Sequence, residues 1–302
     1  MSPIPSAANT RFAPAPTGRL HLGHLANALF VWGFARRAEG RVLLRVEDHD
    51  RQRCRPEFEA ALLDDLDRFG IAADEPSTDD LRAGPSPFRQ SDNGSVYAAA
   101  VEALSRVTDV YACDCSRSTF ATWRREHGRG WSGAGCPGRC RDRRLEGGDD
   151  LGLRVALGNG GEDWVDALIG VRSGAVAAGG DLLVRDRHGN WTYALCVVID
   201  DLRHDVDLVV RGEDLIDSTP VQIRLGRLLG RAAPATFAHH PLVRNDDGSK
   251  LSKADGATAI GALLDAGASP GELIGEAARR IGLVLETRPL AFEEAIEIIA
   301  AR

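Results

Sequence analysis

Lys250 and Lys253 stand three residues apart in GSKLSK, and every other member of the chain's 37 Lys and Arg residues is arginine. The two types exchange readily on a solvated face, but not where a compact ammonium must reach a phosphate. Near the other end, PTGRLHLGHL sets a Pro/Gly turn against a helix start, where backbone N–H groups and the helix dipole favour an anion. His21 and His24 fall on one helix face, placed to donate to the same group. Gly23 leaves room for a flat ring such as adenine against the backbone. A capped helix with merely exposed histidines has the same spacing. A third set, Cys113, Cys115, Cys136 and Cys140, reads C-x-C and C-x3-C with 20 residues between the pairs. Four thiolates suffice for a closed, structural tetrahedral Zn²⁺ site, and free thiols or a disulfide pair are the alternatives. Cys54 and Cys196 stand apart as ordinary thiols. Arg124 to Arg144 holds seven arginines against two acids, with Trp123 and Trp131 nearby. Such a knuckle suits an RNA end through phosphate contact and stacking, or is a solvated loop whose arginines meet local carboxylates.

Something must bring these residues together. At 302 residues there is room for two domains, or for one core carrying an insertion. The net charge of −7 gives no global nucleic-acid footprint, so an RNA partner needs a local patch. No apolar window is long enough for a membrane span, and MSPIPSAANT lacks a secretory pattern, so a cytoplasmic protein is expected. RFAPAPTG as an extended entry, a helix from about Leu22 to Gly40, and RVLLRVEDHD as a buried strand make a βαβ opening. Such units build α/β folds on parallel sheets, with ligands at the carboxyl ends of the strands. PEFEAALLDDLDRFG and SVYAAAVEALSRV read as helices. From about Ser105 to Tyr193 glycine, cysteine and arginine dominate, as in an insertion. ALCVVIDD, VDLVVRGEDL and HHPLVRND then read as strands resuming the sheet. In SPGE, Ser269, Pro270 and Glu272 form a capping box that starts a helix.

The two motifs at the ends, in that order and more than two hundred residues apart, resemble the signatures of class I aminoacyl-tRNA synthetases. RFAPAPTGRLHLGH, RVEDHD, VVRGEDLIDSTP and KLSK narrow the resemblance to the glutamyl/glutaminyl subgroup, from Arg11 to about Lys253. The cysteine-rich insertion and the short stretch after Lys253 are similar to the glutamyl-queuosine tRNA(Asp) synthetase branch. The resemblance implies a Rossmann-like catalytic domain over 11–104 and 194–254, an inserted zinc-containing α/β subdomain over 105–193, and a short helical region over 255–302 without an anticodon-binding domain. It implies activation of L-glutamate by ATP with Mg²⁺, transfer to queuosine in the anticodon of tRNA(Asp), and one structural Zn²⁺ in a monomer. The alternatives are a core charging tRNA(Glu), or a non-catalytic tRNA or nucleotide-binding module.

Residue roles follow from the same resemblance. His21, His24, Lys250 and Lys253 carry catalysis. Arg11 and Arg211 meet the γ-carboxylate of glutamate, Glu47 its ammonium, and Tyr193 lines the pocket. Pro14, Thr17, Gly18, His21, Gly23, His24 and Lys253 bind ATP, and Cys113, Cys115, Cys136 and Cys140 bind zinc. Three positions depart from the pattern: Ala15 where serine is common, Cys136 where the branch often has tyrosine, and Ala254 after the lysines.

If Lys253 follows the departing phosphates, Lys253→Ala should slow glutamate-dependent pyrophosphate exchange on the order of a hundredfold, as for loss of a preorganised charge. Lys253→Arg should also be poor in the same assay. A harmless arginine there would remove the reason given for the two lysines.

Overall fold

The computed structural model describes residues 4–127, 135–148, 150–176, 180–243 and 258–302. Lys250, Lys253, Arg129, Trp131 and Ala254 lie outside them. The chain opens with β1 (Asn9–Phe12), α1 (Leu22–Arg37) and β2 (Arg41–Leu44), and the strands pair in parallel from Asn9↔Arg41 to Phe12↔Leu44. Next come α2 (Pro56–Phe69), α3 (Thr78–Ala83), a 3₁₀ turn (Gln90–Asn93) and α4 (Gly94–Ser105). Then follow β3 (Val110–Cys113), α5 (Arg117–His127), α6 (Arg139–Arg143), β4 (Gly152–Val155), β5 (Gly161–Asp166), β6 (Gly170–Ala175) and β7 (Leu182–Arg185). After α7 (Tyr193–Arg203) and β8 (Leu208–Gly212), a 3₁₀ segment (Glu213–Ser218) leads to α8 (Thr219–Leu228) and β9 (Thr236–His240). Three helices complete the described chain: α9 (Ile260–Asp265), α10 (Pro270–Arg280) and α11 (Phe292–Ala300).

Strands order as β6-β5-β9-β8, with β8 and β9 parallel from Leu208↔Thr236 to Gly212↔His240. The Asp207 N–H donates to Asn9 O at 3.1 Å, which brings β1 and β2 alongside β8. The segment 105–193 serves two sheets. Hairpin β5–β6 joins the central one through the parallel pair Asp166↔Phe237, while β3-β4-β7 forms a separate antiparallel sheet beside the cysteines.

Helix α1 is packed from several sides by β1, β8, α10 and α11, and Leu25, Leu29, Val31 and Phe34 are buried along it. Its end differs from a simple glycine cap. Glu39 takes the positive φ of 51°, and Gly40 is needed because a Cβ there would collide with Ala8 O. The box at α10 forms as its sequence requires, with Ser269 Oγ accepting from Glu272 N and Glu272 Oε2 from Ser269 N.

The run ALCVVIDD is not a strand, contrary to its pattern; it lies within α7. Leu195 through Asp201 are all buried, between α4, α8 and the sheet, so no polar stripe remains to reveal the helical period. This correction bears on function, because α7 carries Tyr193 at its first turn and Asp200 and Asp201 near its last.

Candidate active site

At the carboxyl ends of β1, β2 and β8 lies a cavity of about 730 Å³, closed on one side by the start of α1. Arg11, Thr17, His21, Gly23, His24, Glu47, Tyr193 and Arg211 line it together. Pro14 and Gly18 do not line it; Pro14 O accepts from Glu47 N at 3.1 Å. Ala15 also faces the cavity.

The start of α1 has no Ser, Thr, Asp or Asn to cap it, and the histidines do so instead. His21 is the N-cap, its Nδ1 accepting from Gly23 N at 3.0 Å, and His24 Nδ1 accepts from His21 N at 3.1 Å. With both Nδ1 atoms accepting, each neutral ring carries its proton on Nε2. The ring centres are 4.0 Å apart. The pair therefore caps the helix and supplies two N–H donors beside the positive end of its dipole, an arrangement that favours a phosphate.

The floor beneath Arg11 and Glu47 is built on buried charge. Asp201 accepts from Arg11 Nε at 3.1 Å and from Arg45 Nη1 at 2.8 Å, and Arg45 Nη2 donates to Glu47 Oε1 at 3.2 Å. Burial pushes the Asp201 carboxyl up, but Arg11 and Arg45 outweigh it and hold the group below its usual range. For Glu47 burial prevails over Arg45 and Arg11, and its carboxyl is raised.

Arg211 is held differently. Nε donates to His239 Nε2 at 3.0 Å, Nη1 to Gln222 Oε1 at 2.6 Å, and Nη2 to Thr219 Oγ1 at 2.7 Å. Because His239 Nε2 accepts, its Nδ1 carries the proton and donates to Asp166 Oδ2 at 2.5 Å. Burial opposes it, yet hydrogen bonds from His239 and from the Leu168 backbone keep the Asp166 carboxyl below its ordinary value. Among the described residues no carboxylate lies within ion-pair distance of Arg211. A guanidinium stays charged even when buried, so here neutral dipoles grip a full positive charge.

Arg45, Asp201, His239, Gln222 and Thr219 escape the sequence reading. A signal existed in RVED and VIDD, since charges inside apolar runs must find partners when buried. Nothing local shows which partners they find.

Away from the cavity, the Sγ atoms of Cys113, Cys115, Cys136 and Cys140 all lie within 4.8 Å of one another, and all four residues are buried. Tetrahedral Zn²⁺ with Zn–S of about 2.3 Å sets sulfurs roughly 3.8 Å apart. Cationic N–H groups surround them: Arg154 Nε to Cys113 Sγ at 3.1 Å, Arg139 Nη1 to Cys115 Sγ at 3.9 Å, and Arg143 Nη1 to Cys140 Sγ at 3.9 Å. This donor set fits a cluster of thiolates on a metal. Several arginines of the knuckle are already engaged, Arg143 with Asp114 at 2.7 Å and Arg141 with Asp181 at 2.6 Å.

Comparison with known proteins follows the same lines. The family model described as tRNA synthetases class I (E and Q), catalytic domain, matches residues 7–300. The chain is 39% identical over 296 residues to a glutamyl-Q tRNA(Asp) synthetase of Symbiobacterium thermophilum, covering 95% of this chain and 91% of that one. It is 40% identical over 281 residues to a protein of the same name from Rhodobacter capsulatus, covering 87% and 97%. A glutamate–tRNA ligase 2 of Syntrophus aciditrophicus is 34% identical over 271 residues, covering 87% of this chain and 55% of that relative. In fold, it resembles a glutamate tRNA ligase from Elizabethkingia meningosepticum solved with its amino acid, with a TM-score of 0.76 at 24% identity over 97% of this chain and 64% of that one.

The depressed Asp201 carboxyl contributes stability that is complete above the usual carboxylate range and is lost as pH falls below about 4. Asp201→Asn should cost about 3–5 kcal/mol at neutral pH by leaving two buried cations short of charge. It should also flatten the acid limb of stability in denaturant titrations across pH. Unchanged stability at pH 7 would remove Asp201 as the anchor of the cavity floor.

Proposed function

The chain belongs to the class I tRNA synthetases of the glutamate and glutamine family, and from that membership we propose that it activates L-glutamate with ATP and passes it to queuosine in the anticodon of tRNA(Asp). The observation that carries the reading is Arg211, a buried cation held only by neutral groups in a cavity that also presents Glu47 and the His21–His24 pair. An anionic side chain of the substrate completes the Arg211 charge, and Arg11, already paired with Asp201, adds field without competing as strongly. Glu47, on the opposite charge, suits the α-ammonium, and Tyr193 walls the pocket between them.

Activation requires the α-carboxylate to attack the α-phosphorus of ATP, forming a C(O)–O–P bond as pyrophosphate leaves. The chain's part is positioning and charge stabilisation. His21 and His24 offer Nε2–H donors, the α1 dipole adds its positive end, Thr17 and Gly23 border the nucleotide, and Lys250 and Lys253 follow the phosphates. Mg²⁺ enters with ATP as part of the substrate.

The names carried by relatives matched over nearly their whole length support queuosine-bearing tRNA(Asp) as acceptor over tRNA(Glu). Zn²⁺ is the metal that best suits four buried sulfurs with N–H donors around them. Bound there, it ties the end of β3 and the following turn to α6, and leaves no open position for chemistry. Six free, buried cysteines support a reducing, cytoplasmic setting. Among the described residues no helix is long and apolar enough to cross a membrane.

Glutamate-dependent exchange of pyrophosphate into ATP is expected without any RNA. Presented with tRNA(Asp) with and without queuosine and with tRNA(Glu), the protein should esterify only the first. Charging of tRNA(Glu) at its 3′ end would replace this acceptor, and absence of exchange would sink the enzymatic reading. Removing the metal with a chelator should lower thermal stability while exchange by the surviving folded protein persists. Exchange that vanished with the metal at unchanged stability would give the metal a catalytic part instead.

A further inference from the structure

The cavity wall carries a histidine with no part in gripping glutamate or ATP. His49 stands two residues beyond Glu47, half-buried, and its ring centre is 6.3 Å from that of Tyr193. Its Nδ1 lies 2.7 Å from Gln90 Oε1, and Gln90 Nε2 lies 2.8 Å from Asp200 Oδ2. The order of donors in this chain is fixed from its far end. Asp200 is fully buried and receives the Tyr97 hydroxyl at 3.0 Å, with Arg203 Nε 3.1 Å and Arg45 Nε 4.0 Å from its oxygens. Burial pushes that carboxyl up, while the two guanidiniums oppose the shift and every close neighbour is a donor.

An accepting carboxylate requires the amide NH₂ of Gln90 to face it, which leaves the amide oxygen facing His49. That oxygen only accepts. His49 Nδ1 therefore holds the proton, and Nε2 holds the lone pair. No described residue hydrogen-bonds Nε2, and the atom is not buried. The other cavity histidines are committed elsewhere: His21 and His24 use their Nδ1 lone pairs on the backbone, and His240 has Pro241 O and the Asn27 side chain on its two nitrogens.

We propose that His49 is the base of the transfer step, its Nε2 taking the proton of the acceptor hydroxyl as that oxygen attacks the glutamyl adenylate. The proposal rests on the reading of this cavity as a glutamate-activating site. With the α-ammonium at Glu47, the reacting carbonyl carbon lies two bonds from that nitrogen, within the part of the cavity that His49 and Tyr193 border. The hydroxyl oxygen bonds to the carbonyl carbon, the bond from that carbon to the phosphate oxygen breaks, and AMP leaves with the electron pair. The proton passes to Nε2, and the resulting imidazolium is stabilised through Nδ1–H, Gln90 and the Asp200 charge. Gln90 is a positioning residue that fixes the tautomer.

The test is single-turnover transfer by the full chain, started from preformed enzyme-bound glutamyl adenylate and expressed per mole of adenylate, so that only folded, charged enzyme is counted. His49→Ala and His49→Gln should each slow transfer to queuosine-bearing tRNA(Asp) by about 100-fold. Added imidazole should restore part of the rate in His49→Ala and leave the parent unaffected. Transfer by either variant within about threefold of the parent would overturn the proposal, since a base contributes far more than that. If the parent charges tRNA(Glu) instead, the same variants are compared on that acceptor, so the choice of acceptor and the role of His49 fail separately. A parent that transfers glutamate to neither RNA overturns both.

Discussion

Two arginines share one buried carboxylate at the floor of the cavity, and the rest of the site depends on that sharing. Asp201, from α7, ties Arg11 on β1 to Arg45 just beyond β2, and Arg45 in turn meets Glu47. Each of these charges is costly out of water alone, and together they are compensated. The network also fixes geometry: it locks the helix that carries Tyr193 to β1, which carries Arg11, and to the segment just beyond β2 that carries Glu47. A parallel sheet gathers side chains at the carboxyl ends of its strands, and buried ion pairing then sets their register in space.

Against that compensated floor, Arg211 stands out for how it is held. His239, Gln222 and Thr219 satisfy its N–H groups with neutral acceptors, and Asp166 orients His239 from one residue further away. Hydrogen bonds fix the guanidinium without cancelling its charge. A substrate with a second carboxylate meets a preorganised cation, whereas an uncharged isostere leaves that cation buried and unpaired. On the reading proposed above, selectivity for an acidic amino acid follows from the partners withheld from Arg211 as much as from its presence.

The cysteine knuckle follows the opposite rule. Its arginines turn inward as well as outward: Arg154, Arg139 and Arg143 approach the sulfurs, and Arg143 and Arg141 pair with Asp114 and Asp181. A basic run that suggests an RNA surface is thus partly occupied in contacts with the cysteine sulfurs and local acids.

Several features follow from sequence alone, because local chemistry determines them. The turn and helix start around His21 and His24, the βαβ opening, the Ser269 capping box and the spacing of the four cysteines each involve residues a few positions apart. The paired lysines are conspicuous in the sequence too, though they lie outside the described residues. Other features belong to tertiary structure. ALCVVIDD reads as a strand until its surroundings bury every side of it and hide the helical period. Arg45 and Asp201 are marked only as charges inside apolar runs, and nothing local names the partners of these or of His239 and His49, which lie up to 190 residues away, as Arg11 is from Asp201. A sequence specifies which charges and donors the chain possesses; only folding decides which of them meet, and which buried cation is held by neutral groups alone.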